Sequence, residues 1–271
     1  WYAASRLPGA HDPYPLYAAS NAGSLAALLA YPFLVEPRSP LSGQNAAWAA
    51  GYLLLIGVIA AALLLARPLA KLPAAAPGRI RWRDRSLWLA LALVPSAGLV
   101  AVTAHLSADV ASAPLLWVVP LALYLLSFVV VFSTRWSAGA LGLSRGVLPL
   151  LLLAAALRQG AGWRFGLAAD VALDLAMFLA LSLVFHGSLA ARRPEASGLT
   201  SFYLAMSTGG LIGGVAAAIV APHVFSFVAE YPLLLVAAAL ATPWPRLMPA
   251  LVIVALLLPG WLRPPAQERF T

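Results

Sequence analysis

Apolar residues in this chain come in long unbroken runs, rich in Leu and Ala, that Arg, Pro and Gly separate. A hydrocarbon core about 30 Å thick takes about 20 apolar residues of helix. The pattern therefore predicts repeated crossings of a bilayer, over 14–35, 46–66, 87–105, 114–133, 141–157, 168–187, 201–221, 229–243 and 247–262. Strands of a membrane barrel are excluded, because they alternate apolar and polar positions over about 10 residues. Arg145 interrupts the fifth run and Pro149 kinks it, an arginine near a helix end being able to snorkel to the interface. Pro243-Trp244-Pro245 ends the eighth early. The expected fold is all-α: a single membrane domain over 1–271, built as a polytopic bundle of about nine spans.

The first run, DPYPLYAASNAGSLAALLAYPFLVEP, has an echo 186 residues later. Tyr17, Ala19, Gly23 and Leu25 align without gaps on Tyr203, Ala205, Gly209 and Leu211, and each helix runs on to a proline, Pro32 or Pro222. This reads as an internal repeat, the architecture of secondary transporters, which bind near the interface between repeats. On that ground Tyr17, Asn21, Tyr203 and Ser207 are candidate substrate-binding residues. Asn21 and Ser207 face either a neighbouring helix or a hydrated cavity.

Composition fixes the solvent. The chain is 62% hydrophobic and 10% charged, against about 25% charged in a soluble domain. Its mean hydropathy is +0.89. With no cysteine there is neither a disulfide framework nor a thiolate metal site. The chain begins at Trp1 with no basic segment before the first span, as expected of a processed or excerpted sequence. Basic residues sort by side: Arg6, those between 67 and 85, Arg135, Arg145, Arg192, Arg193 and Arg246 against Arg38, Arg158, Arg164, Arg263 and Arg269. The positive-inside rule makes the first side, and the N-terminus, cytoplasmic in a bacterial inner membrane. The pI of 10.4 then reflects topology. Nucleic acid is not an expected partner, because the Arg79–Arg85 cluster sits in a short loop beside the membrane and suits anionic lipid.

Two i,i+4 pairs of ionisable residues in or beside the spans stand out. Asp170 and Asp174 share a face of the sixth at i,i+4, and acids within a membrane are costly and default to functional hypotheses. Asp174, a further candidate substrate-binding residue, should point into the bundle or a hydrated cleft, its partner being Arg164, the repeat-related polar groups of the first and seventh helices, or an entering cation; if it carries a function, Asp174→Asn should abolish binding or coupling while leaving folding intact. His105 and Asp109 repeat the i,i+4 spacing and form a candidate proton relay, since imidazole titrates near neutrality; the alternative is a capping or interfacial histidine. A metal would need a third ligand that no local sequence supplies. In the seventh run Gly209, Gly213 and Ala217 form one small-residue ladder, and Gly210, Gly214 and Ala218 its neighbour. Such ladders let backbones approach closely, inside the bundle or with a partner helix. No GxSxG, HExxH, P-loop or GxGxxG motif is present, and no cofactor is expected.

Through DPYPLYAASNAGSLAALLAYPFLVEP, DVASAPLLWVVPLALYLLSFVVVF, FHGSLAARRP, FYLAMSTGGLIGGVAAAIVAP and EYPLLL, in that order, the chain resembles the membrane part of bacterial fused major-facilitator/spermidine-synthase proteins. The resemblance implies a major-facilitator-like bundle followed by a soluble domain similar to aminopropyltransferases, with AQERFT as the threshold of that domain. The family pattern places polar residues where this chain has Ser188, Ser201 and Ala217. Three functions follow as expectations: a module that transports or senses a small cation such as a polyamine, a non-transporting anchor for an aminopropyltransferase-like enzyme, or a structural subunit of a membrane complex.

Overall fold

The computed structural model describes residues 12–66, 80–110, 116–133, 137–225, 229–241 and 247–257. They form α1 (Tyr14–Ala30), α2 (Leu41–Ala66), α3 (Trp82–Val110), α4 (Val118–Phe132), α5 (Ser137–Ala161), α6 (Leu167–Ala190), α7 (Leu199–Val215), the short α8 (Ala221–Val224), α9 (Glu230–Ala241) and α10 (Leu247–Leu256). Among the described residues there is no strand. Helix is what lipid demands, because it satisfies every backbone polar group within its own segment.

Among the described residues six segments are long and apolar enough to cross a membrane: Tyr14–Val35, Leu41–Leu64, Trp82–Ala108, Ala138–Ala161, Leu167–Ala190 and Leu199–Val224. The protein is a polytopic membrane protein. Within the described residues Val118–Phe132, Glu230–Leu240 and Leu247–Leu256 are apolar but shorter. The expected fifth span is a helix of 25 residues. It keeps Pro149 inside, and Arg145 is exposed on its flank. The fourth is the shorter one, and its expected start at 114 lies outside the described residues. So do Lys71 and Arg79 of the basic loop, whose end is already helical from Trp82.

Two helices meet a proline with the same device. Proline lacks an N–H and crowds the preceding turn, and the backbone widens into a π-turn at Tyr31–Val35, around Pro32, and at Ala216–Val220, just before Pro222.

The bundle is organised on α3 and α6. On one side α1, α4 and α7 enclose a core of Tyr14, Trp88, Phe128, Phe132, Leu189 and Phe202. On the other, α5, α9 and α10 enclose Leu148, Leu152, Met177, Leu181, Leu235 and Val252. Close approach of α7 to α3 depends on glycine: a Cβ at Gly209 would strike the Leu89 carbonyl, and one at Gly213 the Leu93 carbonyl. Ser96 Oγ donates to the Gly210 carbonyl at 2.7 Å across the same seam. The first small-residue ladder is thus filled by the chain's own α3. By contrast, α2 buries no residue over Leu41–Leu64 and adds none to the two cores, as expected of an apolar helix solvated by lipid.

Candidate functional site

Four helices each send one polar side chain to a single buried point. α3 supplies His105, α5 Arg158, α6 Asp174 and α9 Tyr231, at 6%, 3%, 1% and 0% exposure. The turn between α5 and α6 makes the meeting possible. Gly162 at φ 68° and Gly166 at φ 103° adopt backbone conformations that a side chain disfavours. They fold α6 back along α5, so that an arginine in the last turn of one helix faces an acid in the next.

Arg158 Nη2 lies 2.7 Å from Asp174 Oδ1 and 2.8 Å from Oδ2. The same nitrogen lies 3.0 Å from His105 Nε2. A guanidinium only donates, so the imidazole accepts at Nε2, carries its own proton on Nδ1 and is neutral. One Nη2 proton is then shared by the two carboxylate oxygens and the other goes to the histidine. His105 Nε2, 3.6 Å from Asp174 Oδ2, has no proton to give the acid. Tyr231 Oη donates to Asp174 Oδ1, and its ring stacks on His105 with centroids 4.1 Å apart. The cluster is neutral overall, one cation against one anion. Arg158 also lines a polar cavity of about 330 Å³ with Gln159, Gly162 and Arg164, and its buried Nε has no acceptor among the described residues.

These contacts change two expectations and leave a third, the relay, untested. Arg158 is not a loop cation; it ends a helix inside the bundle as the partner of Asp174. Arg164 instead approaches Asp170 at 3.9 Å and remains largely exposed. His105 engages Arg158, and the Asp109 side chain of the expected relay lies outside the described residues.

A second cluster joins α1, α4 and α7. The rings of Tyr17 and Tyr203 are 5.3 Å apart; Tyr203 also meets Tyr14, and Tyr17 meets Phe128 and Phe132 of α4. Arg193 sits 4.8 Å over the Tyr14 ring, a cation–π contact, and reaches Asp12 at 3.3 Å. The Tyr14 hydroxyl donates to the Pro194 carbonyl at 2.6 Å and Trp88 Nε1 to that of Arg192 at 3.0 Å, which pins the α6–α7 connection. Asn21 bonds within its own helix, to the Tyr17 carbonyl at 2.8 Å. Ser207 is exposed on α7. The structure brings Tyr17 and Tyr203 together, with Asn21 bonded to the Tyr17 carbonyl, and leaves Ser207 and Asp174 apart from them.

His186 and Ser127 form a third buried contact, Nδ1 to Oγ at 2.7 Å. Because Ser127 gives its one proton to the Tyr124 carbonyl at 2.6 Å, His186 donates from Nδ1. Sequence reasoning missed Arg158, Tyr231 and Ser127. The available signal for Arg158 was its opposite charge to Asp174 on consecutive helices.

Among the described residues no cluster of His, Cys, Asp and Glu could hold a metal. No protein-family model, curated protein or solved structure matches the chain.

Proposed function

We propose that this chain is the major-facilitator-like membrane module of a spermidine-synthase-like fused protein and that it moves or senses a small cation such as a polyamine. The carrying observation is Asp174, an acid set at the meeting of four helices with the chain's own cation, Arg158, held against it. An arginine is a tethered stand-in for an amine. A cation that takes the Asp174 carboxylate must release the guanidinium, and the cavity beside Arg158 gives it somewhere to go. Asp170, one turn along α6, offers a second carboxylate there, since its bonds are a long contact to Arg164 and the Phe165 N–H at 3.3 Å. Exchange of Arg158 between the two acids would couple the cation to the packing of α5 against α6.

The repeat supports the same reading. The two π-turns begin at Tyr31 and Ala216, within one residue of the offset that aligns Tyr17 with Tyr203. We place the N-terminus in the cytoplasm of a bacterial cell, on the basic side of the bundle.

One observation favours the anchor reading instead. Both Asp174 oxygens already accept hydrogen bonds, so the node is complete as a purely structural tie. Uptake of labelled spermidine by proteoliposomes separates the two. The carrier reading expects saturable uptake that the neutral pair Arg158→Gln/Asp174→Asn abolishes while the protein still folds. No uptake above empty liposomes, or uptake that survives in the double variant, supports the anchor.

A further inference from the structure

The first turn of α9 faces two ways. Tyr231 turns to Asp174, whereas Glu230, about 100° around the helix, lines a separate cavity of about 160 Å³ between α3, the π-turn of Ala216–Val220 and α9. Leu93, Ala97, Ala217, Leu234 and Ala237 form its apolar walls. Glu230 supplies its charge. Oε2 of that carboxylate is buried and accepts no hydrogen bond from any described residue. A buried carboxylate oxygen without a donor is costly, and π-turns concentrate at functional sites.

We propose that this cavity binds a small alkylammonium ion, with its N–H groups on Glu230 and its hydrocarbon tail between the alanines of α3, the Ala216–Val220 π-turn, α8 and α9. The walls exclude the alternatives by chemistry. An anion would meet the carboxylate, and an uncharged alkane would leave Oε2 without a donor. The volume of about 160 Å³ has room for an ion of the size of n-butylammonium. Alanine at 97, 216, 217, 221 and 237 keeps the groove open where larger side chains would fill it. The site is distinct from Asp174 and does not depend on the exchange of Arg158.

The test is equilibrium binding of radiolabelled n-butylammonium to the full chain in phosphatidylcholine nanodiscs. The wild type should bind saturably, and excess 1-butanol, which has the tail without the charge, should not compete. Glu230→Gln should weaken binding about tenfold or more, the loss of one charge-assisted hydrogen bond. Ala237→Phe, which fills the groove and keeps the carboxylate, should weaken it as much. The Arg158→Gln/Asp174→Asn variant should bind like the wild type, which separates this site from the proposed transport site. Absence of saturable binding, equal competition by butanol, or unchanged affinity in Glu230→Gln would overturn the proposal. So would butylammonium binding that phosphatidylethanolamine in the nanodisc abolishes, because the natural occupant would then be a lipid headgroup.

Discussion

Arg158 Nη2 holds both oxygens of Asp174, at 2.7 and 2.8 Å, across the α5–α6 hairpin. Both groups are out of contact with solvent, so either one alone would be a buried, uncompensated charge. Removing one partner of such a pair costs about 3–5 kcal/mol, whereas replacing both with apolar groups is often neutral or stabilising. Asp174→Asn and Arg158→Met should each destabilise the protein by that amount in reversible unfolding, and Arg158→Met/Asp174→Leu should recover most of the loss. This reverses the expectation that Asp174→Asn leaves folding intact, because the acid neutralises an arginine that the span pattern alone does not place beside it.

Tyr231 contributes a hydrogen bond to a charged acceptor as well as a buried ring. Tyr231→Phe keeps the stacking on His105 and removes only the hydroxyl. It should cost about 1.5–3 kcal/mol, measured by the same unfolding, and the cost should vanish in the Asp174→Leu/Arg158→Met background, where no carboxylate needs the donor.

The two small-residue ladders of α7 should respond differently. Gly209→Val and Gly213→Val force side chains into the α3 backbone and should destabilise by about 1–3 kcal/mol or more. At Gly210 and Gly214 the nearest atom to an added Cβ is Ser96 Oγ, at 3.9 and 3.7 Å. Alanine there should leave the melting temperature close to that of the wild type.

The topology is open to cysteine labelling. With the N-terminus cytoplasmic, a cysteine at Ser39 should react with an impermeant reagent in intact cells, and one at Ser86 only after permeabilisation. The opposite pattern would invert the assignment of sides.

The helical class and the positions of the spans are legible because lipid imposes one simple rule, continuous apolar length, that a sequence displays directly. The lengths of α4 and α5 are not. Arg145 marks α5 as interrupted, but an exposed arginine with a long apolar stem can cover the helix flank and leave the hydrogen-bond ladder intact. The polar site was half legible. Asp174 stands out as an acid in an apolar run, but its partners come from α3, α5 and α9, and the pairing depends on how those helices rotate about their axes. Local spacing favoured Asp174 with Arg164; tertiary packing chose Arg158 and Tyr231. Tyr17 and Tyr203 were selected as repeat equivalents, and their ring contact follows from packing between α1 and α7, which no alignment of the two segments encodes.

A carrier role requires Asp174 to exchange its internal cation for an external one, and spermidine binding to the wild type and to Arg158→Gln measures that exchange. With the competing guanidinium gone, the variant should bind labelled spermidine about tenfold tighter or more, the worth of a charge-assisted hydrogen bond to the freed carboxylate. Spermidine should also raise its melting temperature more than that of the wild type. Equal affinities in the two proteins, or no saturable binding in either, would contradict the account and leave Arg158 and Asp174 as a structural tie.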